Sequence, residues 1–285
     1  MIFSRKGFDS SCGGVASPIL PDGTLLSLPI PRQSSISYSE LNFNGELLGP
    51  IVQDLTEGKI TGERSVHLDP DLRASLYQRR PGWRPLFGQR GASQRHLSRW
   101  GISQGDLFLF FGWFREVKLV GGTYRFVKGA PDLHVLFGWL QVGKIIHVGD
   151  HDHHVPRWAA YHPHFSADYN ADYDKHNVVY ISSISLQING VGEQIPGGGT
   201  FEEYREDLCL TAPDSSRSLW KLPLWFYPNH GKLPLSYHSN LSRWKLAGDH
   251  ALLQSAARGQ EFVLDADCYP QTIGWARSLI IGRGA

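Results

Sequence analysis

The sequence has few cysteines, no long apolar run and no excess of charge of either sign. The three cysteines follow neither a disulfide-framework nor a metal-site spacing, which indicates a reducing compartment; they are Cys12, Cys209 and Cys268. The longest apolar run, residues 107–111, is far shorter than the ~20 residues of a membrane-spanning helix. The first residues lack the apolar stretch of a signal peptide. We therefore expect a cytoplasmic protein with no membrane role.

The formal net charge is only +1 at pH 7, so the overall charge does not indicate binding to nucleic acid or to a membrane. A local basic segment does exist, and its arginines are Arg79, Arg80, Arg84, Arg90, Arg95 and Arg99. Aromatic residues are interleaved with it, namely Tyr77, Trp83 and Trp100. This combination either suits contact with a phosphate backbone and unpaired bases or forms an ordinary solvated face.

Frequent breaks between short apolar segments predict a strand-rich α+β fold. The chain contains 31 glycines and 17 prolines, as short strands and irregular loops require. We predict a single domain, residues 1–285, around a curved, mostly antiparallel, barrel-like sheet with a few flanking helices. The polar segments 30–65 and 149–176 are predicted to be long loop excursions. The spacing of apolar residues predicts helices at 91–100 and 271–281.

Two aromatic strands nearly repeat each other, and each carries Phe-Gly-Trp. They span residues 105–115 and 134–141. Glycine within a strand lets another backbone or a flat ligand approach closely, so Trp113 and Trp139 either line one cavity or fill a core. Arg115 and Gln141 end these strands and are suited to bind a phosphate or the edge of a base. Buried structural hydrogen bonds are the alternative.

The loop after the first predicted strand carries a candidate anion site. Its residues are Lys6, Asp9, Ser10, Gly13 and Gly14. Backbone N–H groups near the two glycines can converge on an anion, to which Lys6 adds a positive charge. Asp9 is a candidate general base or nucleophile. Alternatively, its side chain stabilises a local turn.

Histidine is concentrated in one part of the chain, since eight of the 13 lie between residues 134 and 176. His151 and His153 alternate, as residues that share a Zn²⁺ or Mn²⁺ on an extended segment do. A divalent metal is therefore a candidate cofactor, although a His-rich surface loop needs no metal. No other cofactor is expected. His162 and His164 are candidate acid/base residues near neutral pH, or they shape the loop by hydrogen bonding.

Further polar residues are candidates for the rim of the same cavity. They are Gln89, Gln94, His96, Arg258 and Glu261. Glutamine can read the hydrogen-bonding edge of a base, whereas Arg258 and Glu261 either orient site residues or form a surface ion pair. His67 and Asp69 are either a further His/carboxylate pair or a polar turn before Pro70.

Motifs spread over nearly the whole chain form one set. They are Ser4-Arg5-Lys6-Gly7-Phe8-Asp9, Gly13-Gly14, Ser17-Pro18, Phe87-Gly88-Gln89, Gly91-Ala92, Gln94, His96-Leu97, residues 105–115, Phe137-Gly138-Trp139-Leu140-Gln141, His162-Pro163-His164 and Arg258-Gly259-Gln260-Glu261-Phe262. This set resembles the nucleotide modification associated domain 3 family, a bacterial and phage group. The resemblance implies a role near nucleotide or DNA modification and names no reaction. A helix followed by Gly105-Asp106 and an apolar strand is also similar to PUA-like barrels, a class that includes readers of modified bases.

The first functional hypothesis is an enzyme, a hydrolase or transferase that acts on a modified nucleotide or base. No flavin, nicotinamide or iron–sulfur motif is visible in the sequence. Asp9 would act as acid/base or nucleophile and Lys6 would hold a phosphate, while Trp113 and Trp139 would stack a base. The alternative is a noncatalytic reader that binds a modified base of DNA in an aromatic pocket. The expected partner is a nucleotide or DNA.

Overall fold

The structure is a computed structural model that describes residues 1–150, 154–166, 174–188, 191–229, 231–257 and 259–282, with the backbone alone at 191–193. Within these residues the α-helices are α1 (Leu48–Leu55), α2 (Gly91–Arg99) and α3 (Gln271–Ile281). The strands are β1 (Ile2–Arg5), β2 (Ser17–Ile19), β3 (Asn42–Phe43), β4 (Glu46–Leu47), β5 (Leu86–Gln89), β6 (Leu107–Val120), β7 (Thr123–Phe126), β8 (Leu133–His147), β9 (Val178–Ser182), β10 (Ser185–Ile188), β11 (Val191–Pro196), β12 (Gly198–Thr200), β13 (Leu219–Pro223), β14 (Trp244–Ala247), β15 (His250–Gln254) and β16 (Glu261–Val263). The predicted strand-rich α+β class is confirmed.

The largest sheet has the strand order β16, β1, β6, β8, β9 and β5. In it, β1 lies parallel to β6, whereas the pairs β6–β8, β8–β9 and β9–β5 are antiparallel. Strands β2 and β7 both pair with β6, and β12 pairs with β8. The other sheets are small: β13, β15 and β14 form one, and β3–β4 and β10–β11 form two-stranded pairs.

The long strands β6 and β8 form the centre of the large sheet. Residues 108–111 of β6 are all buried, since both faces of the sheet are covered there, and this explains their uninterrupted apolar run. A Cβ atom on Gly112 would lie 2.9 Å from the carbonyl oxygen of Lys6, and one on Gly138 would lie 2.7 Å from that of Gly199. Both glycines of the repeated Phe-Gly-Trp therefore allow close approach of a second backbone.

The large sheet curves until its end strands face each other. Gln89 on β5 donates a hydrogen bond from Nε2 to Glu261 Oε1 on β16 at 2.6 Å, although β1, β6, β8 and β9 lie between these strands in the sheet order. Among the described residues no backbone pairing joins β5 to β16, so the sheet does not close into a barrel. A barrel-like or PUA-like architecture stays a prediction.

Helices α2 and α3 confirm the two helices predicted from apolar spacing. Helix α1 was not predicted, because Gly49 and Pro50 have low helix propensity and the surrounding segment is rich in polar residues. Pro50 is tolerated because the N–H groups of the first helical turn need no acceptor within the helix. Ile51 and Val52 of α1 are buried in a second apolar core formed mainly by residues 26–76. In the described part of the chain, no helix has the length and apolar character needed to cross a membrane.

His134 on β8 is a buried histidine that stays neutral in the folded protein. Its Nδ1 accepts a hydrogen bond from Trp220 Nε1 at 3.0 Å. Burial, followed by the charges of Arg5 and Arg217, lowers its pKa to about 3. The unfolded chain has a histidine pKa of about 6.5. The stabilisation is therefore complete above pH 6.5 and is lost as the pH falls towards 3.

We expect the variant His134→Gln to be less sensitive to acid than the wild-type protein. In the wild type, protonation of this residue on unfolding removes about 2 kcal/mol of unfolding free energy between pH 7 and pH 5. The glutamine oxygen can still accept the Trp220 hydrogen bond, but it does not titrate. Urea unfolding followed by circular dichroism at both pH values measures the difference. An equal loss in variant and wild type would contradict a neutral His134.

Candidate functional site

Strand β5 brings the candidate residues of three separate chain segments together. Its Gly88 donates a backbone hydrogen bond to Asp69 Oδ1 at 2.7 Å. The same residue leaves room for His164, because a Cβ atom on Gly88 would lie 2.3 Å from the imidazole carbons. The next residue, Gln89, points to Glu261. In the Phe87-Gly88-Gln89 motif, the glycine is therefore explained by packing against His164, and the glutamine by its hydrogen bond to Glu261.

Three histidines surround the carboxylate of Asp69, and we call His67, Asp69, His162 and His164 the Asp69 cluster. Asp69 Oδ2 lies 3.8 Å from His67 Nε2 and 3.6 Å from His164 Nε2. On the other side, Asp69 Oδ1 lies 3.3 Å from His162 Nε2. Each of these side chains is at most 6% exposed. Residues about 95 positions apart in the sequence therefore form one buried acid/base group.

The short 3₁₀ helix Pro163–Phe165 holds two of the imidazoles against the carboxylate. His164 Nδ1 lies 2.6 Å from Asn177 Oδ1, and Asn177 Nδ2 donates to the His164 carbonyl oxygen at 3.0 Å. Because an amide oxygen can only accept, His164 carries its proton on Nδ1 and presents the lone pair of Nε2 to Asp69. Among the described residues, His162 Nδ1 is buried without a hydrogen-bond partner.

The pKa values of three cluster residues favour neutral imidazoles at His67 and His164 and an ionised carboxylate at Asp69. Burial lowers the pKa of His67 to about 3 and that of His164 to about 4, although the Asp69 charge opposes this shift. Burial by itself would raise the pKa of Asp69, but its interactions with the three imidazoles outweigh burial and hold that pKa below its usual range. The backbone N–H of Gly88 also stabilises the ionised form.

A second polar group lies beside the cluster and involves three residues predicted from the sequence. Lys6 Nζ pairs with Glu261 Oε1 at 3.0 Å, and Gln89 donates to the same oxygen. The Lys6 ammonium also lies 4.6 Å from the centre of the Phe87 ring and helps to lower the pKa of His164. The charge of Lys6 is therefore balanced by a fully buried carboxylate.

A small cavity of about 40 Å³ borders Asp69 and is large enough to hold a water molecule. Its wall includes Gly7, Ser27, Arg73 and Phe137. The Arg73 guanidinium pairs with Glu202, whose side chain is 64% exposed. The cavity thus combines a carboxylate, a guanidinium and apolar surface.

The segment that carries Asp69 is anchored two residues later by a buried ion pair. Arg79 donates to both oxygens of Asp71, at 2.6 and 2.5 Å. The Tyr161 hydroxyl also donates to Asp71 and accepts a hydrogen bond from Trp83 Nε1 at 2.8 Å. Arg79, the first arginine of the basic segment, is therefore a structural residue, and this network ties Tyr161 to the segment around Asp71 that precedes β5.

The loop with Asp9 forms the local turn that was the alternative to an anion site. Asp9 Oδ1 accepts hydrogen bonds from Ser11 N, Ser11 Oγ and Cys12 N, each at 2.7 Å. Ser10 Oγ accepts from Arg217 at 3.1 Å. A Cβ atom on Gly13 would clash with the Phe8 ring, whereas Gly14 has open space. The described contacts of Asp9 lie within its own loop, so the structure does not bring it to Lys6 or to the Asp69 cluster.

The two tryptophans of the repeated strands have different surroundings. In the pairing of β6 with β8, Trp139 lies opposite Leu109 and Trp113 lies opposite His134, which separates the indoles by roughly 13 Å along the strands. Trp139 donates to the Pro196 carbonyl oxygen at 3.2 Å. The two indoles therefore do not lie opposite each other in the paired strands, and a role for them in one ligand pocket stays a prediction.

The other polar candidates make structural contacts. Gln94 donates to the Tyr180 hydroxyl at 2.9 Å, and His96 Nε2 lies 3.0 Å from Ser236 Oγ. Gln141 bonds the backbone of residues 105 and 187. Arg115 donates to the Val127 carbonyl oxygen at 3.2 Å. Their roles in ligand binding stay predictions.

Some predicted residues lie outside the described part of the chain, namely Arg258, His151 and His153. The sequence did suggest His67 with Asp69 as a pair and His162 with His164 as acid/base residues. It gave no sign that these two pairs meet. Asn177 was missed, since an isolated asparagine after a His-rich segment has no distinguishing pattern.

Comparison with known proteins places the chain in a family. The family model named Nmad3, nucleotide modification associated domain 3, matches residues 1–265. The matched range includes the Asp69 cluster and ends just after β16. Searches of curated proteins and of solved structures found no significant match. Because the model covers most of the sequence, the chain belongs to the nucleotide modification associated domain 3 family.

Proposed function

We propose that the chain is an enzyme that modifies a nucleotide or a nucleobase, and that its reaction takes place at the Asp69 cluster. The observation that supports this is a buried, ionised carboxylate held against three imidazoles beside a water-sized cavity. A site that only reads a base needs apolar surface and fixed hydrogen-bonding groups. Neutral imidazoles next to a carboxylate are the groups of acid/base catalysis.

Hydrolysis or group transfer is the reaction class that these groups serve. His162 takes a proton from water or from an acceptor hydroxyl while that oxygen bonds to carbon or phosphorus of the substrate. The bond to the leaving group then breaks, and the leaving group receives the proton. Asp69 orients the imidazole and stabilises its positive charge, as a carboxylate does in acid/base pairs. Arg73 on the cavity wall offers a positive charge to a phosphate.

Mass spectrometry of nucleotides and of DNA with modified bases, before and after incubation with the protein, tests this function. We expect a mass change with the wild type and a rate about 10²–10⁴-fold lower with His162→Gln, because a general base is removed. The matched control is Asp249→Asn, which alters an exposed carboxylate beside another histidine. Asp9→Ala tests the site predicted from the sequence. Loss of the mass change with Asp9→Ala and its retention with His162→Gln would contradict a reaction at the Asp69 cluster.

The alternative function, a noncatalytic reader of a modified base, rests on other residues. The Arg217 guanidinium lies 4.1 Å above the half-buried Trp113 ring, and an indole and a guanidinium are both groups on which a base can stack. Binding of modified DNA without any mass change, together with loss of binding in Trp113→Ala, would support the reader. A relation to PUA-like barrels and a bacterial or phage, cytoplasmic setting also stay predictions.

A further inference from the structure

We propose that His67, Asp69 and His164 bind a divalent transition-metal ion of the Zn²⁺ and Fe²⁺ class. Their ligand atoms all lie within 4.8 Å of one another. A metal that binds nitrogen and oxygen at about 2.1 Å sets its ligand atoms roughly 3.0–3.5 Å apart. The observed separations of 3.6 and 3.8 Å from Asp69 Oδ2 to the two imidazole nitrogens therefore require only a small contraction.

The orientation of two of the three ligands, His164 and Asp69, is already fixed by a neighbouring group. Asn177 accepts the Nδ1 proton of His164 and so directs the Nε2 lone pair towards Asp69. The Gly88 N–H occupies Asp69 Oδ1, which leaves Oδ2 as the oxygen shared between the two imidazoles. Metal-binding imidazoles in proteins are oriented in the same way, by a hydrogen bond to their second nitrogen.

The charge of the cluster gives a second, independent reason for a cation. Among the described residues no Lys or Arg side chain forms an ion pair with Asp69, although its side chain is only 6% exposed. The nearby Lys6 is paired with Glu261 instead. A buried carboxylate is costly without a compensating positive charge, and a divalent ion between two neutral imidazoles supplies it.

The ligand types select the metal. Two imidazoles and one carboxylate are typical of Zn²⁺ and of Fe²⁺ sites that keep open positions, whereas Mg²⁺ and Ca²⁺ prefer oxygen ligands alone. His162 is fully buried, and its Nδ1 has no hydrogen-bond partner among the described residues. It stands beside the three ligands, with its Nε2 3.3 Å from Asp69 Oδ1.

Metal uptake by the full chain tests the site with Zn²⁺ and Co²⁺ as probes. After dialysis against Zn²⁺, elemental analysis of the wild type should give about one ion per chain, and the Co²⁺ form should absorb in the visible range. Asn177→Ala should weaken Zn²⁺ binding about 10–100-fold, because it frees the His164 imidazole. Asp69→Asn and His164→Gln should weaken it further, and the exposed control Asp249→Asn should not change it.

X-ray absorption of the Zn²⁺ form of the wild type tests the site without any variant. We expect nitrogen and oxygen neighbours at about 2.1 Å and the outer-shell scattering of two imidazoles. No uptake, Mg²⁺ binding as strong as Zn²⁺ binding, or retention of Zn²⁺ by the folded Asp69→Asn protein would overturn the site. Loss of Zn²⁺ in a His151→Gln/His153→Gln variant, with unchanged binding in Asp69→Asn, would also overturn it.

A metal bound at these residues would take part in the proposed reaction, so its catalytic role rests on the proposed function. Uptake is measured without a substrate, so the two results are separable. Metal binding without any mass change supports the metal site and contradicts the enzyme. A mass change that chelation leaves unaltered, in a protein that takes up no Zn²⁺, supports the enzyme and overturns the metal site.

Discussion

The substitution Asp71→Asn should lower the free energy of unfolding by about 3–5 kcal/mol, the largest stability effect that we expect from a single change of charge. The Asp71 side chain is fully buried and binds both terminal nitrogens of Arg79, which is 11% exposed. The amide removes the negative charge and leaves the Arg79 guanidinium buried without its counterion. The change in side-chain volume is negligible, so the effect reports the charge.

The matched control is Glu202→Gln, which makes the same chemical change in an exposed ion pair. The Glu202 side chain is 64% exposed, so its pair with Arg73 should contribute at most ~1 kcal/mol. Urea unfolding of both variants at pH 7 measures the difference. Equal effects of the two substitutions would mean that Asp71 and Arg79 are not held in a buried pair.

The substitution Gly88→Ala should disrupt the Asp69 cluster and cost about 1–3 kcal/mol of unfolding free energy. The new methyl group would lie 2.3 Å from the imidazole of His164, which is only 2% exposed and cannot move away freely. We expect the His164 ring to be displaced from Asn177 and Asp69. Both Zn²⁺ uptake and the mass change of the substrate should then be lost, although none of the three proposed protein ligands has been replaced.

Gly274→Ala provides the control for this substitution. Gly274 lies in α3, is exposed, and has no atom within 4 Å of a Cβ atom built on it. Alanine should stabilise the helix there by up to ~1 kcal/mol and leave Zn²⁺ uptake unchanged. Thermal unfolding and elemental analysis of both variants make the comparison. Normal Zn²⁺ uptake by Gly88→Ala would contradict the packing of Gly88 against His164.

The sequence could predict those parts of the fold that depend on local pattern. The periodicity of apolar residues predicts α2 and α3, and a pair such as Gly121-Gly122 is typical of a two-residue hairpin turn, which here joins β6 to β7. A curved sheet was predicted, but its strand order could not be, because the order follows from pairings between distant segments. β1 pairs with β6 and β16, which lie about 105 and 260 residues further along the chain.

For the candidate site too, the sequence could predict residue types but not the contacts between distant segments. Residue types identified Lys6, Gln89, Glu261, His162 and His164 as candidates, and the structure places them in two neighbouring groups. The position of Asp69 between the imidazoles depends on a tertiary contact with Gly88. From the sequence, Asp9 was an equally good candidate for a catalytic carboxylate. The residues of a short Ser-rich loop do not show whether the carboxylate accepts hydrogen bonds from the backbone of the loop itself.

Because Glu261 contacts Lys6 and Gln89, the fold can be completed only after residue 261 has been synthesised. The four side chains of the Asp69 cluster and Asn177 all precede residue 178, so they are present in a chain that is still growing on the ribosome. Strand β16 emerges some 80 residues later. Until then one edge of β1 has no partner and Lys6 has no counterion, so the nascent protein exposes an open edge to aggregation or to chaperones.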